Sequence, residues 1–275
     1  MEKSLTIALV CYRSLEAADF HKSLASALAQ IGHPGPVRVY LDGIERPVDY
    51  PGVNWIQLTA EVCGHPAKIR EAIVRDVETE YLAFWDADDI YSIDRTCRQL
   101  ERMKAEQADL CFSDFAFLQG SRIASKSYFE LIGYGRRSID LFRENYIGLG
   151  TLTARTSFLK RLVPFPDIET LDWWIGIRAR LMGVTVSCYP EVLGYYRIHE
   201  GSRSLLYETL SPEAFIQEKE NRVALYSQLE AQGEIFQQLK AHYRDLDVQA
   251  HYPELKERYL AREYKNIWGG LLSDA

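Results

Sequence analysis

The sequence predicts a three-layer α/β/α fold around a mostly parallel central sheet, followed by an α-helical C-terminal extension. Three observations carry this expectation. Apolar runs alternate with helical periodicities over roughly the first hundred residues, the pattern of parallel strands joined by crossover helices. The apolar run at 81–85 passes directly into Asp86-Ala87-Asp88-Asp89, placing carboxylates where ligands gather in open α/β sheets. After Ser204 the chain turns rich in Glu, Gln, Lys and Leu at three- and four-residue spacing.

The elements follow in order. Residues 5–11 (LTIALVC) read as a buried strand feeding a loop at Tyr12-Arg13-Ser14. A helix is expected over 16–31 from Phe20, Leu24, Ala27, Leu28 and Ile31, stopped by Gly32 and Pro34. Strands over 37–41 and 53–58, a helix near 67–77 and the strand 81–85 complete the first half. Ser92 is placed to cap a helix over 93–106. Later strands are expected at 109–118, 149–154 and 184–189, with a helix over about 172–182 ended by Gly183. Residues 213–247 form an amphipathic helical segment broken at Gly233. A boundary is set near 205, giving a domain over 1–204, with halves 1–105 and 106–204, and an extension over 205–275.

Composition narrows the function. At 275 residues with 47% hydrophobic content, the chain can bury a sizeable core. A net charge of −7 and a pI near 5.5 argue against a general nucleic-acid binder, which needs clustered Lys and Arg. Cys11, Cys63, Cys97, Cys111 and Cys188 are odd in number and irregular in spacing, as expected of reduced core thiols. The short apolar run after Met1-Glu2-Lys3-Ser4 is too brief for a secretory segment, and no run reaches membrane-spanning length. A cytoplasmic protein is therefore expected, with room for peripheral contact at the inner face of a membrane. Walker loops, G-x-G-x-x-G, H-E-x-x-H and G-x-S-x-G are all missing.

The acidic cluster carries the chemistry. Carboxylates crowded at a strand end repel one another, and a cation ordinarily relieves them. Mg²⁺ and Mn²⁺ prefer oxygen ligands and share them with phosphate oxygens. The alternative is that Asp88 and Asp89 merely open a turn and cap the next helix.

Four ordered segments resemble the inverting glycosyltransferases of family 2, which have the Rossmann-like GT-A fold. They are Leu5–Val10 with Cys11-Tyr12-Arg13, Val37–Gly43, Tyr81–Asp89 (YLAFWDADD), and Leu171-Asp172-Trp173-Trp174 through Tyr195-Tyr196-Arg197-Ile198-His199-Glu200-Gly201-Ser202. The resemblance implies transfer of a sugar from a nucleotide-diphosphate donor, UDP or dTDP in type, to a hydroxyl of a glycan or lipid-linked acceptor. Bacterial surface-polysaccharide synthesis is the setting it suggests. It implies that Asp172 is the catalytic base, and that Tyr12, Asp42, Arg70, Asp86 and Arg197 bind the donor. Asp88 and His199 would hold Mn²⁺ or Mg²⁺, and Trp173 and Trp174 would meet the acceptor. The chain departs from the pattern at Arg13, Ile44, Ile69-Arg70-Glu71 and Leu171.

Structural alternatives stand beside these roles. Asp172 can be a first-turn carboxylate favoured by the helix dipole. Asp42-Gly43 can be a turn, His199 a surface histidine, and Arg70 the partner of Glu71 or Asp76. Adjacent Trp173 and Trp174 cannot share one helix face, so one of them is expected in the core. A degenerate binding or scaffold module and a sugar-nucleotide pyrophosphorylase are the rival functions. The mixed aromatic and charged residues 251–268 are read as packing on the catalytic domain or as a homodimer contact.

Overall fold

The computed structural model describes residues 4–12, 16–32, 35–47, 50–199, 202, 204–266 and 268–273. The loop residues Arg13 and Ser14, the helix-stopping Pro34, and Glu200 and Gly201 of the late motif lie outside them. The described elements are β1 (Leu5–Tyr12), α1 (Ala17–Leu28), β2 (Val37–Asp42), β3 (Val53–Gln57), α2 (Pro66–Asp76), β4 (Tyr81–Trp85), β5 (Ile90–Tyr91) and α3 (Arg95–Glu106). There follow β6 (Leu110–Gln119), β7 (Arg122–Ser127), α4 (Tyr128–Ile132), β8 (Thr153–Arg155), α5 (Thr156–Leu162), α6 (Leu171–Leu181) and β9 (Val186–Ile198). The extension holds α7 (Ser204–Glu208), α8 (Pro212–Leu229), α9 (Glu234–Asp245) and α10 (Val248–Ala261).

Among the described residues the strands form one nine-stranded sheet in the order β3-β2-β1-β4-β8-β6-β9-β5, with β7 paired to β6. β3, β2, β1 and β4 are parallel neighbours. β8 runs against both β4 and β6, so β6 and its parallel partner β9 share the direction of β4. The sheet is thus mostly one-directional, as the sequence predicts, with β5, β7 and β8 reversed.

Strand alternation sorts the core into two layers. Leu5, Ile7, Leu9 and Cys11 of β1 face Phe20, Leu24 and Ala27 of α1 and Leu100 and Met103 of α3. Ala8 and Val10 face the other way, into a core shared with α2, α5, α6 and the helices of the extension. Phe215, Leu225, Tyr226 and Leu229 of α8 belong to this second core and are completely buried. The extension is therefore packed on the sheet domain through a continuous apolar layer.

Several boundaries differ from expectation. α1 ends at Leu28, so Leu28 and Ile31 are 37% and 51% exposed instead of core. α3 begins at Arg95 with Asp94 at its cap position, not at Ser92. The reason is β5, whose pairing with β9 continues into a bond from the Ser92 N–H to the Leu193 carbonyl. Ser92 Oγ donates instead to Asp94 Oδ1 at 2.5 Å. Residues 149–151 form a 3-10 turn, and the paired strand is Thr153–Arg155 instead of the expected 149–154. The expected short strand 184–189 is the beginning of the thirteen-residue β9, because its pairing with β6 runs on to Ile198. The break at Gly233 is present, with φ +155 between α8 and α9.

A buried ion pair ties down the last residues. Arg222 and Glu218 of α8 are 0% and 2% exposed and meet at 2.8 Å. Glu218 also accepts the backbone N–H groups of Leu271 and Leu272, each at 3.0 Å. Arg222 donates to the carbonyls of Arg143 and Gly269. Removing one partner of such a pair strands the other charge in the core. Arg222→Leu is expected to lower unfolding free energy by about 3–5 kcal/mol in urea denaturation; a loss below about 1 kcal/mol would discount this anchor.

Candidate active site

The strand ends of β1, β2 and β4 open into a crevice of about 1210 Å³, closed on the far side by α6 and the extension. Tyr12, Asp42, Arg70, Asp86, Asp88, Asp172, Trp173 and His199 all line it. Residues scattered over nearly 190 positions of sequence are thereby brought together. Arg197 and Trp174 are not among the lining residues.

At the β4 end, Asp86 and Asp88 face the crevice while Asp89 turns inward. Asp89 is 4% exposed and accepts the Arg197 backbone N–H at 2.8 Å. Burial and the neighbouring carboxylates push Asp89 well above the usual carboxylate range. Asp86 is also raised, by burial and secondarily by Asp88, with Arg70 and Arg95 opposing. Arg70 Nη2 lies 3.7 Å from Asp86 Oδ1. The candidate alternative partners of Arg70 are occupied elsewhere: Glu71 pairs with Arg75 at 2.8 Å and Asp76 with Arg38 at 2.5 Å. Arg70 is left turned toward the crevice, its Nε buried without a hydrogen-bond partner.

Two unanticipated groups hold this loop. Arg95 is fully buried, with its guanidinium 4.5 Å from the Trp85 ring centroid and 4.3 Å from that of Tyr91. It places a cation beneath the aspartates. Gly150, in the 3-10 turn, leaves room for Asp86: a Cβ there would stand 2.1 Å from Asp86 Oδ2 and 2.6 Å from the Tyr91 hydroxyl. Neither residue carries a sequence signal of its own, since both act through neighbours distant in the chain.

His199 follows the end of β9. Its Nε2 is 3.0 Å from Asp88 Oδ2, although 111 positions separate them. Ser202 accepts the His199 backbone N–H at 2.9 Å and donates to the Arg197 carbonyl at 3.0 Å. Asp88 and His199 offer an oxygen and an imidazole nitrogen to one point, a donor set that suits a divalent cation needing phosphate and water to complete its shell. Among the described residues, no group of three or more His, Cys, Asp or Glu side chains is arranged for a metal ion.

Arg197 differs from expectation. Along β9 it points to the face opposite Tyr196, where Nη1 meets Asp19 of α1 at 3.3 Å and Nε donates to the Asp88 carbonyl at 2.8 Å. Only 6% exposed, it braces the acidic loop from behind and does not line the crevice. Asp42, at the end of β2, accepts the Gly64 N–H at 2.7 Å and so organises the loop beside it while lining the crevice. Tyr12 is raised above its ordinary range by burial and the three aspartates, which keeps its phenol neutral.

Asp172 opens α6 on the opposite wall. The Trp173 N–H donates to its Oδ1 at 2.7 Å. Burial nevertheless dominates, with Asp86 adding to it, and the carboxyl is pushed up to about 7. Of the two tryptophans expected to meet an acceptor, Trp173 lines the crevice but neither presents an exposed ring. Trp173 is 1% exposed, its Nε1 donates to the Leu141 carbonyl, and Arg222 covers its ring at 5.1 Å. Trp174 is 7% exposed and packs against Phe165 and Arg178. Both rings are core because α6 is buried on nearly all sides. The half-buried tryptophan on the crevice wall is Trp268, stacked on Phe115 at 4.9 Å. Glu218 and Asn221 of α8 line the same wall.

No protein-family model matches the sequence, and no curated protein matches it. Solved structures do resemble it. Residues 1–349 of S. aureus TarS in complex with UDP-GlcNAc superpose with a TM-score of 0.61 at 18% identity, over 92% of this chain and 73% of that one. The mannosyltransferase PcManGT from Pyrobaculum calidifontis, in complex with GDP-Man and Mn²⁺, gives 0.62 at 15% identity, over 96% and 77%. The fold is GT-A-like. At these identities the likeness concerns the arrangement of the chain, and the acidic loop, the crevice and α6 are described on that frame from this protein's own residues.

Gly150→Ala tests the fit over Asp86. Overpacking of this kind is expected to cost about 1–3 kcal/mol and to displace the Asp86 carboxylate. Chemical denaturation together with a crystal structure of the variant would check both, and an unmoved Asp86 at full stability would discount the constraint.

Proposed function

We propose that this protein is an inverting glycosyltransferase that takes a sugar from a UDP- or dTDP-type donor to a hydroxyl of a glycan or lipid-linked acceptor. One observation carries the reading: a carboxyl held near neutrality on one wall of a crevice whose other wall bears the acidic loop and Arg70. That is the layout needed to deprotonate a nucleophile opposite a departing diphosphate. The solved structures with the same fold hold UDP-GlcNAc or GDP-Man, which supports a nucleotide-sugar donor.

Each residue then has a task. Asp42 accepts the imide N–H of the base, a donor that cytosine lacks at that position. Arg70 gives charge-assisted contacts to the diphosphate. Asp88 and His199 are the residues that would hold Mn²⁺ or Mg²⁺. When bound, that ion supplies electrostatic stabilisation of the charge growing on the diphosphate. Asp172 takes the proton of the acceptor hydroxyl as it attacks the anomeric carbon from the side opposite the leaving group. An ordinary aspartate, at about 3.9, is a weak base; one at about 7 is much better matched to the proton it must take.

The sign of the pH dependence follows. Asp172 must be ionised to act, so kcat should fall about tenfold per pH unit below 7 and level off above it. A limb centred near 4 would count against this base. Asp172→Asn should retain donor affinity and lose about 10²–10⁴-fold in transfer, and equal loss of both would remove Asp172 from the role. A thermal-shift panel of UDP-, dTDP- and GDP-sugars, with and without Mn²⁺, should show the largest rise with UDP or dTDP plus Mn²⁺. No shift with any donor would sink the proposal.

A further inference from the structure

Trp268 is half-buried on the crevice wall, and the chemistry proposed above gives it no task. Its ring is held by other aromatic rings. It stacks on Phe115 at 4.9 Å with the planes 21° apart, meets Tyr128 at 5.0 Å, and makes a T-shaped contact with Tyr196 at 5.0 Å. The chain is pinned on either side of it. The Trp268 backbone N–H donates to Oδ1 of the buried Asn266 at 2.8 Å. Beyond it, Arg222 donates to the Gly269 carbonyl at 2.8 Å, and Glu218 accepts the Leu271 and Leu272 N–H groups. A ring fixed from both directions loses little freedom when a ligand lands on it.

Its neighbours set it beside the reacting groups. A Cβ at Gly269 would stand 2.9 Å from Cζ3 of Trp173, whose backbone N–H donates to Asp172. A Cβ at Gly148 would stand 3.6 Å from Trp268 Cζ3, and two positions on, Gly150 closes over Asp86. The indole therefore lies between the start of α6 and the turn that touches the acidic loop. Asn221 and Tyr207, bonded to each other at 3.0 Å, line the same cavity and offer it polar groups.

A pyranose ring presents a patch of C–H groups on its face and hydroxyls around its rim. A rigid indole in a crevice that also carries polar side chains matches both features. A linear polyol or an acyl chain has no such flat face. We propose that Trp268 is the platform on which a sugar ring of the acceptor stacks. The C-terminal extension then supplies the acceptor site, and the acceptor hydroxyl belongs to a glycoside. This deepens the glycosyltransferase reading and rests on it.

The test uses the full-length chain with ¹⁵N-labelled tryptophan, the Trp268 indole N–H signal being assigned with Trp268→Phe. Methyl glycosides of glucose, galactose, mannose and N-acetylglucosamine are added in the presence of UDP and Mn²⁺, with sorbitol as the ringless control. At least one glycoside should move the Trp268 signal, and sorbitol should leave it in place. With that glycoside as acceptor, Trp268→Ala should raise the acceptor KM by about tenfold and Trp268→Phe by about threefold, while UDP affinity stays within about twofold. The shift is read in the native protein and Trp268→Phe keeps a ring on Phe115, so a misfolded Trp268→Ala does not remove the test. A Trp268 signal that no glycoside moves, or an acceptor KM unchanged in the variants, overturns the proposal. A signal moved as far by a UDP-sugar alone also overturns it, by giving the ring to the donor. If glycosides move the signal but no donor sugar is bound or transferred, the glycosyltransferase reading fails and the indole remains a carbohydrate site.

Discussion

Asp86, Asp88 and Asp89 leave β4 within four positions, and the fold around them is arranged to contain their repulsion. Like charges a few ångströms apart in a poorly hydrated loop interact strongly enough to disrupt it unless cations or donors oppose them. Arg95 lies beneath, against the rings of both Trp85 and Tyr91; Arg70 stands beside Asp86; Arg197 braces the Asp88 carbonyl from behind. Asp89 is turned inward onto backbone N–H and phenol donors. The outcome is a loop with two carboxylates presented to the crevice and one spent on structure.

The opposite wall is governed by desolvation. Asp172 sits at the start of a helix whose tryptophans are both core, so its carboxyl loses water without gaining a cation. Burial raises the aspartates on both walls, and the difference lies in what opposes it. On the β4 side Arg70 and Arg95 work against burial at Asp86; on the α6 side only hydrogen-bond donors do so at Asp172.

Much of the first half was readable from sequence because parallel βα units impose strong local patterns. Strand runs at β1, β2 and β4 and the ends at Tyr12, Asp42 and Asp86 follow from apolar runs and the switch-point rule. The misplacements share a cause. Ser92 lost the cap position because β5 pairs with a strand a hundred residues away, and β9 outgrew its expected length because β6 continues beside it. Arg197 and Trp174 carried motif-like signals, yet alternation along β9 and the burial of α6 turned them away from the crevice. Trp268 gave the reverse error: in a mixed, charge-balanced segment it had no periodic signal, and only docking of the C-terminal residues brings it to the wall.

The sequence by itself determined the α/β class, the acidic loop at the end of a strand, and the residue types available for metal, phosphate and proton chemistry. These are local properties, encoded in periodicity and short motifs. Tertiary structure alone decided that His199 meets Asp88, that Arg70 faces Asp86 and not its helix neighbours, and that Asn266 of the last segment reaches the Asn145 carbonyl. Those meetings join residues up to 121 positions apart, and they depend on strand order and on where the last residues are pinned, which no local pattern specifies.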